Sequence, residues 1–161
     1  MEELATSGLN EFRKSGGRLQ LIKPFKTMAI RVAIIDDDPA VNLYLSEYFR
    51  ETGFKVTSFS TAKDALLALS AKAASQEPSP FDLIFSDVQM PQMDGVEFTR
   101  QAQLLYPKVP IVLVTAYGGI EQAVNSIREG AFDYLEKPLS LNRLEIVIRN
   151  ALFWRGTDPR N

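Results

Sequence analysis

The sequence predicts an α/β domain of the doubly wound class, a five-stranded parallel sheet with helices on both faces. Three observations carry that prediction. From Arg31 onward, short apolar runs alternate five times with stretches of helical periodicity. Three of the five runs are almost continuously apolar, as strands covered by helices on both sides must be. Serial strand–helix units also close most readily through right-handed crossovers, which make neighbouring strands parallel.

The elements follow in order. VAII (32–35) leads to a helix from Pro39 to about Glu51, with Val41, Leu45, Tyr48 and Phe49 on one side and Gly53 as its stop. FKVTSF (54–59) precedes Thr61-Ala62-Lys63-Asp64, a capping-box variant that opens a helix containing Leu66 and Leu69. FDLIF (81–85) is the third strand, set off from that helix by AKAASQEPSP (71–80), which reads as a loop. VEFTRQAQLLY follows Gly95 as a helix and stops before Pro107. PIVLVT (110–115) precedes a helix whose Ile120, Ala123, Val124 and Ile127 fall at i, i+3, i+4 and i+7, with Gly130 at its end. FDYLE (132–136) is the last strand, and the final helix, from about Leu141, uses Leu144, Val147, Ile148 and Leu152. This pattern fixes the class but not the strand order.

Composition narrows the chemistry. The chain has 161 residues, enough for one substantial core without a disulfide or metal staple. Its net charge of −2 gives no general attraction to nucleic acid or to a membrane surface. Cysteine and histidine are both absent, which excludes disulfides, thiolate or imidazole zinc, Ser-His-Asp catalysis and a phosphohistidine donor role. The apolar runs are far too short to cross a bilayer, and MEEL lacks the character of a secretory signal. A cytoplasmic protein that binds neither nucleic acid nor membrane directly is the expectation. Residues 1–29 stand outside the alternation; LNEFRKSGGRLQLIKPFK reads as a short helix plus linker or as partly disordered. Residues 30–154 are then the domain and 155–161 a tail.

Ligands of doubly wound sheets bind beyond the carboxyl ends of the strands. Strand 1 delivers Asp36-Asp37-Asp38 there, strand 3 Asp87, strand 4 Thr115 followed by the small Ala116, and strand 5 Lys137-Pro138. An aspartate between a strand and a helix is more often a cap than a ligand, and Asp38 before Pro39 fits the cap. Thr115 alone could be only a strand end, and Lys137 only a solvated charge. Together they say more. Three carboxylates on one rim repel one another unless a cation sits among them. A hard divalent ion with oxygen ligands, Mg²⁺ above all, answers that need. With Lys137 and the Thr115 hydroxyl added, the set describes a seat for an incoming phosphoryl group, with an Asp87 oxygen as nucleophile.

The segments VAIIDDDP, DLIFSDVQMPQMDG, VLVTA and GAFDYLEKP resemble the receiver domain of bacterial response regulators, the phospho-acceptor half of two-component signalling. Asp37, Asp87, Thr115 and Lys137 fall 50, 28 and 22 residues apart, and the resemblance runs from Arg31 to about Phe153. GAFDYLEKP leans toward receivers that precede nitrogen-regulation-type transcription activators. The resemblance implies a flavodoxin-like sheet of order 2-1-3-4-5, with Asp87 phosphorylated by a sensor histidine kinase, a phosphotransfer protein or a small acyl phosphate. It implies Mg²⁺, with Mn²⁺ as a substitute, held by Asp37, Asp87 and the backbone carbonyl of Gln89, with Asp36 helping through water and Asp38 serving as the cap. Thr115 and Lys137 would hold the phosphoryl oxygens, Lys137–Pro138 would be cis, Gly95 would allow the turn after strand 3, and Tyr134 would be the switch aromatic. Leu139 stands where Phe is common, and Tyr117 and Gln89 are the residues expected to tune phosphoryl lifetime. Such a domain is not a turnover enzyme and catalyses only its own phosphorylation and dephosphorylation. Its output face would be the fourth helix, fifth strand and fifth helix, with Glu121, Asn125, Arg128 and Arg149 as exposed contacts for a homodimer, a partner or an effector domain.

Three rivals share parts of this pattern. A flavin or nucleotide carrier needs a Gly/Ser/Thr-rich phosphate loop after strand 1, where this chain has three acids. An aspartyl phosphatase wants a second Asp two residues beyond the nucleophile, where Gln89 stands. A degenerate receiver serving only as an interaction module has no need of the full acid, Thr and Lys set.

Overall fold

The computed structural model describes residues 4–7, 10–15, 18–22 and 29–157. It opens with three short strands, β1 (Leu4–Ser7), β2 (Asn10–Ser15) and β3 (Arg18–Ile22), paired antiparallel in the order β1-β2-β3. The short helix or disorder expected there gives way to a meander. Ser7 pairs with Asn10 and Ser15 with Arg18, and in the sequence Gly-Gly is a hairpin signal as much as a break. The expected linker before the domain falls on residues 23–28, outside the described residues, as does the end of the expected tail, 158–161.

The alternating region then runs β4 (Arg31–Ile35), α1 (Pro39–Glu51), β5 (Lys55–Phe59), α2 (Ala62–Ala74), β6 (Leu83–Asp87), α3 (Gly95–Leu105), β7 (Ile111–Thr115), α4 (Ile120–Arg128), β8 (Asp133–Glu136) and α5 (Leu141–Thr157). Its five strands are all parallel in the order β5-β4-β6-β7-β8, which is 2-1-3-4-5 counted within the domain. This is the flavodoxin-like sheet. Every residue of the inner strands β6 and β7 is buried, whereas edge strand β5, KVTSF, is largely open.

Alternate strand residues feed two cores. Val32, Ile34, Phe85 and Val114 meet Leu45 and Phe49 of α1 and Leu144, Val147 and Ile148 of α5. Ala33, Ile35, Ile84 and Leu113 meet Ala65 and Leu69 of α2 and Phe98 and Ala102 of α3 on the other face. Phe49 is fully buried, with ring centroids 5.1 Å from Phe54 and 5.2 Å from Phe85. Each such side chain contributes about 1.5–3 kcal/mol by leaving water.

Helix ends explain two differences from the sequence reading. α2 continues through Ala71-Lys72-Ala73-Ala74, the first part of the expected loop, because all four are good helix formers. It closes where Gln76 takes a left-handed φ of 55° and the amides of Gln76 and Glu77 donate to the carbonyls of Ala73 and Lys72. α5 runs to Thr157, so the expected tail begins as helix. Its last turns are held: Trp154 packs on Phe132 at 5.6 Å, and the Arg155 guanidinium lies 2.7 Å from Asp82 Oδ1. Buried Asp82 also accepts from the Arg31 backbone amide at 2.8 Å and its guanidinium at 3.0 and 3.2 Å.

Candidate functional site

Parallel pairing puts the carboxyl ends of β4, β6, β7 and β8 on one rim, and the predicted site residues arrive there together. One carboxylate oxygen from each of Asp36, Asp37 and Asp87 lies within 4.8 Å of the others. Asp36 and Asp87 are buried, at 2% and 8% exposure, while Asp37 faces solvent. Lys137 reaches across from the end of β8, its Nζ donating to Asp36 Oδ2 at 3.0 Å and lying 3.5 Å from Asp87 Oδ1. The Lys137–Pro138 bond is cis.

The electrostatics follow from that crowding. Burial, then the Asp36 charge, pushes the Asp87 carboxyl above the usual carboxylate range. Lys137 and the Val88 amide, which donates to Asp87 Oδ1 at 2.9 Å, oppose that rise but do not cancel it. Burial alone would lower the Lys137 ammonium, but the hydrogen bond and charge of Asp36, then Asp87, outweigh it and raise its pKa. A divalent cation removes the mutual repulsion, and the donor set is all oxygen, so the residues fit Mg²⁺. Asp36 has both oxygens engaged, one by Lys137 and one by the Asp38 amide at 2.8 Å. Asp37 makes no carboxylate hydrogen bond among the described residues and is the freest of the three to bind metal.

The supporting residues fall around this pocket. Asp38 caps α1 by accepting from the Ala40 amide at 2.9 Å, with Pro39 opening the helix. Gly95, first residue of α3, donates to the Val88 carbonyl at 2.8 Å, and a Cβ there would clash with the Asp87 backbone. Only glycine lets α3 start so close to the aspartate. Thr115 is fully buried, and its hydroxyl donates to the Tyr117 carbonyl at 3.2 Å while accepting from the Tyr117 amide at 3.1 Å. Ala116 and Gln89 are exposed at the rim. The Tyr134 hydroxyl is buried without a well-formed hydrogen bond, with the Gly119 amide and the Glu136 carboxylate as its polar neighbours; burial, then Glu136, raises its pKa.

Two expectations about surfaces change. Glu121, Asn125 and Arg128 are exposed, but Arg149 is half-buried, with its Nε enclosed and unbonded. The apolar stripe of α4 faces solvent instead of the sheet: Ile120 is 85% exposed, Ile127 48% and Val124 45%, and the helix buries only Ser126. Sequence reasoning also missed Asn42, whose side-chain amide donates to the carbonyls of Asp36 at 3.1 Å and Phe59 at 2.9 Å and so ties two strand ends together. A polar residue one turn into a helix that faces the sheet is the signal that marks it.

An acid pocket and a crossing lysine at the carboxyl rim of a 2-1-3-4-5 sheet define a receiver-type α/β domain, not a nucleotide or flavin carrier. The chain belongs to the response regulator receiver domain family, whose model matches residues 32–149. It is 38% identical over 74% of its length to the C4-dicarboxylate transport transcriptional regulatory protein DctD of Rhizobium meliloti, of which that match covers 25%. It is 30% identical over 81% of its length to the DNA-binding transcriptional regulator NtrC of Salmonella typhimurium, covering 27% of that protein. The chain therefore spans about a quarter of these relatives. Among solved structures it is similar to a CheY-like response regulator receiver domain protein from Methanospirillum hungatei, with a TM-score of 0.69 and 30% identity, over 79% of this chain and 96% of that one.

Proposed function

We propose that this domain accepts a phosphoryl group on Asp87 from a sensor histidine kinase or phosphotransfer protein and relays that event through its α4-β8-α5 face. The observation that carries the reading is a buried aspartate at the end of a wholly buried strand, faced by Lys137 and two further carboxylates. An Asp87 oxygen attacks phosphorus, the bond from phosphorus to the donor nitrogen or oxygen breaks, and the donor leaves with its electron pair. Asp37, Asp87 and the Gln89 carbonyl would hold Mg²⁺ or Mn²⁺, with Asp36 assisting through water; the ion supplies charge neutralisation for the incoming phosphoryl oxygens. Lys137 and the Thr115 hydroxyl hold those oxygens, which requires Thr115 to leave its turn with Tyr117.

The output half of the reading rests on α4. Its Ile120 and Ala123 line a cleft of about 390 Å³ together with Tyr134, Leu139 and Arg143 among others, and Val124 and Ile127 of α4 and Leu141 of α5 are exposed as well. That surface suits a second copy, a docking partner or an effector domain of a longer regulator like its relatives. A cytoplasmic setting is consistent with the absence, among the described residues, of any helix long and apolar enough to cross a membrane.

Incubation with acetyl phosphate and Mg²⁺ tests the reading. The wild type should gain the mass of one phosphoryl group, and Asp87→Asn or chelation should abolish the gain. Full labelling of Asp87→Asn would refute the assignment.

A further inference from the structure

The loop between β7 and α4 carries two adjacent glycines that differ in what surrounds them. A Cβ built on Gly118 would lie 2.5 Å from Glu136 Oε1 and 2.6 Å from Tyr134 Oη. One built on Gly119 would meet nothing within 4 Å. Backbone conformation does not separate them: Gly119 has an extended φ of 172°, and neither glycine has the left-handed φ of Gly53 or Gly130. Space does.

The two neighbours of Gly118 also differ. Glu136 is exposed, and its flexible carboxylate can swing aside at little cost. Tyr134 ends in a hydroxyl on a rigid, half-buried ring, which can retreat only if the whole ring changes rotamer. Thr115, the last residue of β7, leads into this loop; its hydroxyl donates to the Tyr117 carbonyl, accepts from the Tyr117 amide and makes no hydrogen bond to Asp87 among the described residues.

We propose that Gly118 is a positioning residue: its missing side chain lets the loop rest against Tyr134 and Glu136, and that seat keeps the Thr115 hydroxyl in its turn with Tyr117, back from Asp87. The proposal rests on the phosphoryl-acceptor reading above. A methyl group at 118 unseats the loop and displaces the Tyr134 ring, so conformations in which Thr115 is free to meet a phosphoryl oxygen gain population before any phosphate arrives.

Amide NMR of the full chain in Mg²⁺, with and without beryllofluoride as phosphoryl mimic, tests this on wild type, Gly118→Ala, Gly119→Ala and Gly118→Ala/Tyr134→Phe. Without the mimic, the 115–119 amides of Gly118→Ala should lie part-way along the line from resting to mimic-bound wild type. Gly119→Ala should superimpose on resting wild type, and the double variant, relieved of the Tyr134 hydroxyl, should return toward it. Gly118→Ala should also accept phosphate from acetyl phosphate several-fold faster than Gly119→Ala. Resonances of Gly118→Ala that stay at rest, leave the line, or move no further than those of Gly119→Ala overturn the proposal. A wild type that ignores Mg²⁺ and beryllofluoride sinks the acceptor reading itself, and this proposal with it.

Discussion

Helices α1 and α4 flank the same sheet and carry similar apolar stripes in sequence, yet they are held very differently. α1 starts from a side-chain cap at Asp38, ends in a glycine-closed turn at Gly53 and buries Leu45 and Phe49. α4 has a comparable closing turn at Gly130 but no side-chain cap at Gly119, and its Ile120, Val124 and Ile127 stand outside. The acid cluster is thus built where the chain is well anchored, between β4, α1 and β6. The Thr115 loop and the proposed output surface lie where anchoring is thin. A site that must hold three carboxylates close needs rigid support, whereas an element that must respond is drawn from the least stable part of the fold.

Core truncation should expose that difference most. Phe49→Ala is expected to cost about 3–5 kcal/mol in urea unfolding, the usual range for emptying a buried aromatic site. Ile120→Ala on α4 should change stability by less than about 0.5 kcal/mol. Comparable losses would mean that α4 is anchored after all. Mg²⁺ should act next in size, and on the acid side. At a hundred-fold excess over its dissociation constant it should stabilise the fold by about 2.7 kcal/mol if it binds only the native state. Asp37→Ala should remove most of that gain at the same Mg²⁺ concentration, and a gain unchanged by the substitution would place the ion elsewhere. The smallest effect concerns caps. Asp94 accepts from the Glu97 amide at 2.8 Å at the start of α3, so Asp94→Ala should cost about 1 kcal/mol. The α4 amides, lacking such a cap, should exchange with deuterium sooner than those of α3 in the same sample.

Much of this was legible in the sequence because it follows from period and punctuation. VAII, FDLIF and IVLVT announced buried parallel strands, Gly53 and Gly130 marked helix ends, and the strand-end acids with Lys137 marked the rim where the acid pocket forms. What escaped depends on partners distant in sequence. Asp82 looks like one more strand acid until β4 and α5 bring Arg31 and Arg155 to it. The α4 stripe has the periodicity of a core helix, and periodicity cannot say whether the sheet covers it. Gln76 takes the left-handed closing position that glycine marks elsewhere, so α2 ended later than its composition suggested. The N-terminal strands were hidden because alternation over four to six residues is brief, and Gly-Gly serves linkers and hairpins equally.

The central claim is that Asp87, and no other carboxylate in the pocket, takes the phosphoryl group. Acetyl-phosphate-treated protein can be reduced with borohydride, which converts an aspartyl phosphate to homoserine, and then digested and sequenced by mass spectrometry. The account predicts homoserine at position 87 alone, and only when Mg²⁺ was present. Homoserine at 36 or 37, or at 87 with equal yield in chelator, would contradict it.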